Sequence, residues 1–261
     1  MAFDYGKIEQ ALKNNDHVVL FLDYDGTLAD FSEHPDIIEP NSEVVDLVER
    51  LIGCNNITPT IISGRRLEHI QKLIPFNNII LAGTYGLEIQ LPGDKIYYPL
   101  DFKKIRPKLE KLQPIWQSLI HGKPDFFLED KGWTLAIHAR YAEDQLAEPV
   151  LREAELTARK TLDRALFQVK PGHKFLEVSP KQANKGQCVR YLMNIIQVVG
   201  KILIYIGDDD KDEVAFEVVQ SSGGFAIRVC SNVINNPIED WRLENPKAAR
   251  RWLGNLVDIL C

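Results

Sequence analysis

Phe21-Leu-Asp-Tyr-Asp-Gly-Thr-Leu28 is the stretch on which the reading of this 261-residue chain turns. The run that enters it, Val18 to Leu22, is apolar throughout and holds two valines, which suits a strand buried on both faces. Two carboxylates one residue apart, Asp23 and Asp25, follow at once, then Gly26 and Thr27. Like charges at the end of a buried strand cost free energy unless something positive compensates them. A divalent cation is the natural candidate, because hard oxygen ligands suit Mg²⁺. The plain alternative is an acidic turn after a strand.

Outward from that point, the chain is long enough for one large domain or two modest ones. It is 45% hydrophobic and 26% charged, which carries no signature of disorder. A net charge of -6 gives no electrostatic reason to expect nucleic acid or an anionic membrane surface. Asp4, Lys7, Glu9, Lys13 and Asp16 leave no room for a signal-peptide core or a membrane span at the start. Cys54, Cys188, Cys230 and Cys261 share no metal-type spacing, and three lie in or beside apolar segments. Buried free thiols in a reducing cytoplasm are the expectation.

The first ninety residues alternate strand and helix. A short helix over Ile8 to Lys13 precedes the first strand, and Glu43 to Ile52 is helical with Ser42 as candidate N-cap. Ile57 to Ile62 is a strand, Leu67 to Ile74 a helix and Asn78 to Ala82 a strand, a grammar that predicts a parallel α/β sheet. Leu87 to Tyr98 reads as a hairpin about Pro92-Gly93-Asp94. The pattern then changes. Lys103 to Ile120 is helical but interrupted by Pro107 and Pro114, and strands Phe126 to Leu128 and Trp133 to His138 flank a turn at Asp130-Lys-Gly132. A long helix over Ala142 to Leu162 follows, then strands Phe167 to Val169 and Phe175 to Val178 about Pro171-Gly172. From Asn184 the first grammar resumes: helix Gly186 to Val199, strand Lys201 to Ile206, helix Asp212 to Val219, strand Phe225 to Val229, and a helix from about Pro246. The expected architecture is a Rossmann-like parallel-sheet core, 1–102 and 179–261, with an α+β domain inserted over 103–178.

A second acidic cluster, Gly207-Asp-Asp-Asp-Lys-Asp-Glu213, follows the apolar strand Lys201 to Ile206 much as Asp23 follows the first. In an open parallel sheet ligands gather beyond the carboxyl ends of strands, so the two clusters can converge on one cation. A carboxylate-rich helix N-terminus is the alternative, and for Glu213 it is preferred. Ser63-Gly64 occupies a third strand end, where a hydroxyl and backbone N–H groups could hold phosphoryl oxygens; an ordinary N-cap serine is the alternative. Lys185 opens a helix and by itself reads as a solvated surface lysine.

Together, DxDGT, SGR, NKG and GDDxxDE, each at a strand end or helix start, resemble the haloacid dehalogenase superfamily of phosphotransferases. Gly83-Thr-Tyr-Gly-Leu-Glu88, Leu128-Glu-Asp-Lys-Gly132, Leu135-Ala-Ile-His138 and Leu176-Glu-Val-Ser-Pro180 are similar to trehalose-6-phosphate phosphatases, as is the position of the insert, where those enzymes carry an α/β cap. The resemblance implies Asp23 as the nucleophile that forms an aspartyl-phosphate and Asp25 as the acid/base. It implies that Ser63 and Lys185 hold phosphoryl oxygens, with Gly64 and Arg65 beside them at the substrate. Mg²⁺ would be held by Asp23, Asp208 and the Asp25 backbone carbonyl, with Asp212 supporting. Glu129, Lys131 and Glu177 of the cap would meet sugar hydroxyls or the phosphate. The implied partners are a small sugar phosphate and a trehalose-phosphate synthase or similar glycosyltransferase, with no nucleic acid and no membrane. Three departures stand out: Tyr85 where the family often has His, His138-Ala-Arg140 for His-Tyr-Arg, and Asp210-Lys211 for Arg-Thr. The cap departure leaves glucosylglycerol phosphate, sucrose 6-phosphate or mannosyl-3-phosphoglycerate open beside trehalose 6-phosphate. A regulatory domain without catalysis is the other alternative; such domains usually lose the nucleophile or metal carboxylates, and Asp23, Asp25, Lys185 and Asp208 are all present.

Overall fold

A computed structural model describes residues 10–12, 17–30, 39–231 and 238–261. The chain divides into two compact units, Met1–Tyr97 with Asn184–Cys261, and Tyr98–Ala183. In the larger unit β1 (Val18–Leu22) is central and pairs in parallel with β2 (Ile57–Ile62) on one side and β10 (Ile202–Gly207) on the other. Beyond β2 lie β3 (Ile80–Gly83) and the antiparallel hairpin β4 (Glu88–Leu91) and β5 (Lys95–Tyr97). Beyond β10 lie β11 (Phe225–Val229) and the short β12 (Trp241–Leu243), which the sequence reading did not anticipate. The chain therefore leaves β1 toward one edge and returns on its other flank. That makes the carboxyl end of β1 the topological switch point, where parallel sheets bind ligands.

The all-apolar β1 sequence is explained by helices on both faces of the sheet. Val18, Leu20 and Leu22 pack with α1 (Ser42–Gly53), α2 (Leu67–Leu73) and α7 (Pro246–Leu260). Val19 and Phe21 pack with α5 (Lys185–Ile196) and α6 (Asp210–Ser221). Each such side chain is worth roughly 1.5–3 kcal/mol when fully buried, so a one-residue slip of β1 would lose several at once. The register Leu22↔Ile206 and Leu22↔Ile61 is fixed accordingly, and Asp23 donates its N–H to the Ile206 carbonyl at 2.9 Å.

Several local expectations need correction. Asn41, not Ser42, caps α1, its side chain accepting from the N–H groups of Glu43 and Val44, and Ser42 is the first helical residue. Of the helix expected over Ile8 to Lys13, residues 10–12 are helical and the rest lie outside the described residues. Cys54 and Cys261 form a disulfide across a separation of 207 residues, with Cα atoms 5.7 Å apart. They cap the C-termini of α1 and α7, which pack on the same face of the sheet, so the fold brings together what sequence spacing kept apart. The Cys188 thiol is buried, and burial pushes its pKa up to about 12. No helix among the described residues is long and apolar enough to cross a membrane.

The smaller unit is a four-stranded antiparallel sheet in the order β6 (Phe127–Asp130), β7 (Leu135–His138), β9 (Phe175–Pro180), β8 (Phe167–Gly172), with α3 (Phe102–Ile120) and α4 (Asp144–Thr161). α3 continues through Pro107 and Pro114 instead of breaking there. Each proline forfeits one backbone hydrogen bond. Ile105, Leu109, Leu112 and Trp116, all buried at helical spacing, outweigh that loss, and the Trp116 indole N–H ties α3 to the Ala154 carbonyl of α4 at 3.0 Å. Pro171-Gly172 belongs to β8; the turn is one step later, where Lys174 takes φ 50°.

Candidate active site

Residues from three adjacent strand ends and two helix starts converge at the switch point. Asp23, directly past β1, is 4% exposed. Its Oδ1 accepts from Lys185 Nζ at 2.6 Å and its Oδ2 from the Thr27 hydroxyl at 3.1 Å. Thr27 also reaches Asp208, past β10, at 3.4 Å. Lys185 is no surface lysine: it is 4% exposed, and its second bond, also 2.6 Å, goes to Asp212 Oδ1. The lysine starts α5, whose N-cap Asn184 accepts from the Gln187 N–H.

Asp212 organises the acidic loop. Its Oδ1 also accepts the Tyr205 hydroxyl at 2.6 Å, and its Oδ2 accepts the N–H groups of Asp208 and Asp209 at 3.1 and 3.2 Å. Asp209 reciprocates as N-cap of α6, a capping box built from two aspartates. Gly207 makes this possible: a Cβ there would lie 2.3 Å from Asp212 Cγ. Arg228, buried on β11, braces the loop from behind, donating to Glu213 at 2.6 Å, to Glu239 at 3.2 Å and to the Asp208 carbonyl at 3.5 Å. Glu213 is thus a helix-start carboxylate paired with arginine, as its sequence position suggests. Thr27 and Asp209 lie within the quoted motifs but were given no role from sequence; for Tyr205 and Arg228 nothing but a polar residue within an apolar strand marks them.

Asp25 faces elsewhere: both its oxygens take the Arg65 fork, Nε and Nη2, at 2.7 Å each. Ser63 is buried at the end of β2, its Oγ accepting the Arg65 N–H at 3.1 Å. It does not cap α2: the residue before that helix is Arg66, with no side-chain cap, and the Leu67 N–H goes to the Glu88 carboxylate at 3.0 Å.

The electrostatics are those of crowded carboxylates. Burial pushes Asp23 well above the usual carboxylate range; Lys185 opposes the rise, and Asp212 and Asp208 add to it. Burial, with Asp209 and Asp212 nearby, raises Asp208 to about 6. Burial alone would also raise Asp212, but Lys185 and Tyr205 outweigh it and hold that carboxyl low. The same carboxylates hold the Lys185 ammonium raised against the effect of its own burial. Oxygens of Asp23, Asp208 and Asp212 all lie within 4.8 Å of one another.

In the smaller unit Glu129, Ala136 and Glu177 form one row across β6, β7 and β9. Lys131 Nζ stands 3.5 Å from Glu129 and 3.9 Å from Glu177, and His138 Nε2 is 2.9 Å from Glu129. Burial would raise Glu129, but the His138 and Lys131 contacts prevail and lower it. Glu177 is 2% exposed, and its Oε2 has no hydrogen-bond partner. A buried acceptor without a hydrogen bond costs about 1–3 kcal/mol.

A parallel sheet whose switch point holds a buried aspartate, a lysine on that aspartate and a second acidic strand end is the arrangement that the resemblance to the haloacid dehalogenase superfamily implies. The family model for trehalose-phosphatase matches residues 21–246, and the chain belongs to that family, whose members are phosphoric monoester hydrolases. It is 28% identical over 269 residues to trehalose-phosphate phosphatase B of Arabidopsis thaliana, covering 97% of this chain and 70% of the relative. It is 26% identical over 244 residues to the trehalose-6-phosphate phosphatase of Escherichia coli, covering 92% and 86%. The C-terminal domain of the C. albicans trehalose-6-phosphate phosphatase superposes with a TM-score of 0.81 at 20% identity over 98% of each chain, a likeness of fold.

Proposed function

We propose that the protein hydrolyses trehalose 6-phosphate to trehalose and phosphate through an aspartyl-phosphate on Asp23. The observation that carries this reading is the buried Asp23–Lys185–Asp212 arrangement at the switch point. An Asp23 oxygen attacks phosphorus as the bond from phosphorus to the sugar oxygen breaks, and Asp25 gives that oxygen its proton. Asp25 then takes a proton from water, whose oxygen attacks the phosphoenzyme and frees Asp23. A carboxylate holding both donors of a guanidinium has no proton to give, so Arg65 must leave Asp25, with the substrate phosphate as its new acceptor. Ser63 and Lys185 bind phosphoryl oxygens, and Lys185 offsets charge on them.

The donor set fits Mg²⁺. Asp23 and Asp208 are hard oxygen donors, and their oxygens lie within 4.8 Å of one another. Asp212 makes four hydrogen bonds already, so it supports the ligands instead of joining them. When bound, the cation neutralises phosphoryl charge and keeps Asp23 ionised. Glu129, Lys131 and Glu177 are the residues we assign to sugar hydroxyls, and a trehalose-phosphate synthase is the proposed source of substrate. Phosphate release from a panel of sugar phosphates, with Mg²⁺ and with EDTA, tests the proposal: trehalose 6-phosphate should lead the panel, and EDTA should abolish release.

A further inference from the structure

The loops beyond four strands touch one another in series around Asp23. Asp208, past β10, accepts from Thr27, past β1. Asp25 of the same β1 loop holds Arg65, past β2. The Arg65 carbonyl accepts the Thr84 N–H at 2.7 Å and the Ser63 carbonyl accepts the Tyr85 N–H at 2.9 Å, both from the turn past β3. The Tyr85 hydroxyl in turn takes the Lys211 ammonium at 3.0 Å, and Lys211 lies in the first turn of α6, beside Asp209 and Asp212. β3 and β10 are not neighbours, because β1 and β2 lie between them. Strands stand about 4.8 Å apart, so the contact closes a ring over roughly 14 Å of sheet edge.

The closing link rests on costly backbone. Thr84 and Tyr85 have φ 48° and 57°, left-handed values that cost roughly 1–2 kcal/mol for a residue with a Cβ. Glu88 maintains the turn, accepting the Thr84 hydroxyl at 3.3 Å as well as the Leu67 N–H. The outcome is a tyrosine ring pressed on the peptide of Gly64, where a Cβ would come within 2.8 Å of two ring carbons. Lys211 Nζ stands 5.3 Å from the centre of that ring. Strain of this kind persists where a site needs the geometry it produces.

We propose that Tyr85 and Lys211 are positioning residues for the phosphate: Lys211 holds the Tyr85 hydroxyl, Tyr85 holds the Ser63–Gly64 backbone, and the closed ring presets the core for a tetrahedral anion. The proposal rests on the phosphatase reading of the core and adds to it two residues with no assigned role. Its effect falls on the phosphoryl group, which every substrate shares. Losses should therefore be equal for a disaccharide phosphate and for p-nitrophenyl phosphate, unlike losses from groups that read the sugar.

The test is inorganic phosphate binding to the full chain in Mg²⁺ buffer, by titration calorimetry, for wild type, Tyr85→Phe, Lys211→Met and the double variant. Tyr85→Phe keeps the ring on Gly64 and removes only the hydroxyl, and Lys211 is exposed, so its truncation leaves no buried charge. Each single change should weaken phosphate binding about tenfold, and the double change no further, because both remove one link. kcat/KM should fall by the same factor on both esters with the melting temperature unchanged, and Lys211→Arg should recover part of the loss. Binding within twofold of wild type in both single variants would overturn the proposal, as would losses that multiply in the double variant or track a lowered melting temperature. A wild type that binds phosphate but releases none from any ester would reject the phosphatase reading instead, and the binding comparison would still decide the ring.

Discussion

Lys185 Nζ lies 2.6 Å from Asp23 Oδ1, and both side chains are almost wholly buried. The same ammonium is 2.6 Å from Asp212 Oδ1. Removing it leaves two buried carboxylates facing each other, the case in which breaking a buried pair costs about 3–5 kcal/mol. Lys185→Met should therefore lower the melting temperature, cut turnover by about a hundredfold or more, and recover part of its stability in Mg²⁺. Wild-type stability in this variant, without metal, would mean that the pair carries little of the fold.

Glu177 gives a prediction about specificity. Its buried Oε2 has no hydrogen bond, with the Lys131 ammonium 3.9 Å away, and the proposed role is to accept from a sugar hydroxyl. Glu177→Gln is expected to lower kcat/KM for trehalose 6-phosphate about tenfold or more, with p-nitrophenyl phosphate turned over nearly as before, since that leaving group offers no hydroxyls. Equal losses on the two substrates would assign Glu177 to the fold.

The Arg228–Glu239–Arg242 cluster behind the acidic loop titrates with a definite sign. Burial alone would raise Glu239, but hydrogen bonds from Arg242 and Arg228 outweigh it, so its folded pKa lies below the ordinary 4.5. Its contribution to stability is thus fully present above that value and is lost as pH falls through the folded pKa. Melting curves between about pH 5 and pH 3 should fall more steeply for wild type than for Glu239→Gln. Parallel curves would contradict the assignment.

The disulfide closes a loop of more than two hundred residues. On chain entropy alone such a crosslink is worth roughly 2–5 kcal/mol. Cys261→Ser, or the reduced wild type, should melt several degrees lower with kcat unaltered, because Cys54 and Cys261 lie at helix C-termini. An unchanged melting temperature would mean that the bond does not form in solution.

How much of this was legible beforehand divides along physical lines. β1 and β10 could be read because a doubly covered strand must be apolar from end to end, and the acidic residues then mark where each strand stops. Asp23 and Asp208 drew attention as acidic residues at strand ends, and Lys185 only through the order of four short motifs; the fold brings the three together. What could not be read depends on partners distant in sequence. Cys54 meets Cys261 only once α1 and α7 share a face. Asp25 meets Arg65 only because β1 and β2 are adjacent. Pro107 and Pro114 looked like breaks because the burial that sustains α3 comes from tertiary packing. Lys185 looked solvated because nothing local shows that two carboxylates surround it.

The central claim is that Asp23 is the nucleophile, and one comparison tests it most directly. Phosphate release from trehalose 6-phosphate at saturating Mg²⁺ should be measured for wild type and for Asp23→Asn, with folding of the variant checked by its melting curve. The account predicts release below about a hundredth of the wild-type rate from a folded variant, since loss of a covalent catalyst costs at least that much. A folded Asp23→Asn protein that retained more than about a hundredth of wild-type turnover would contradict it.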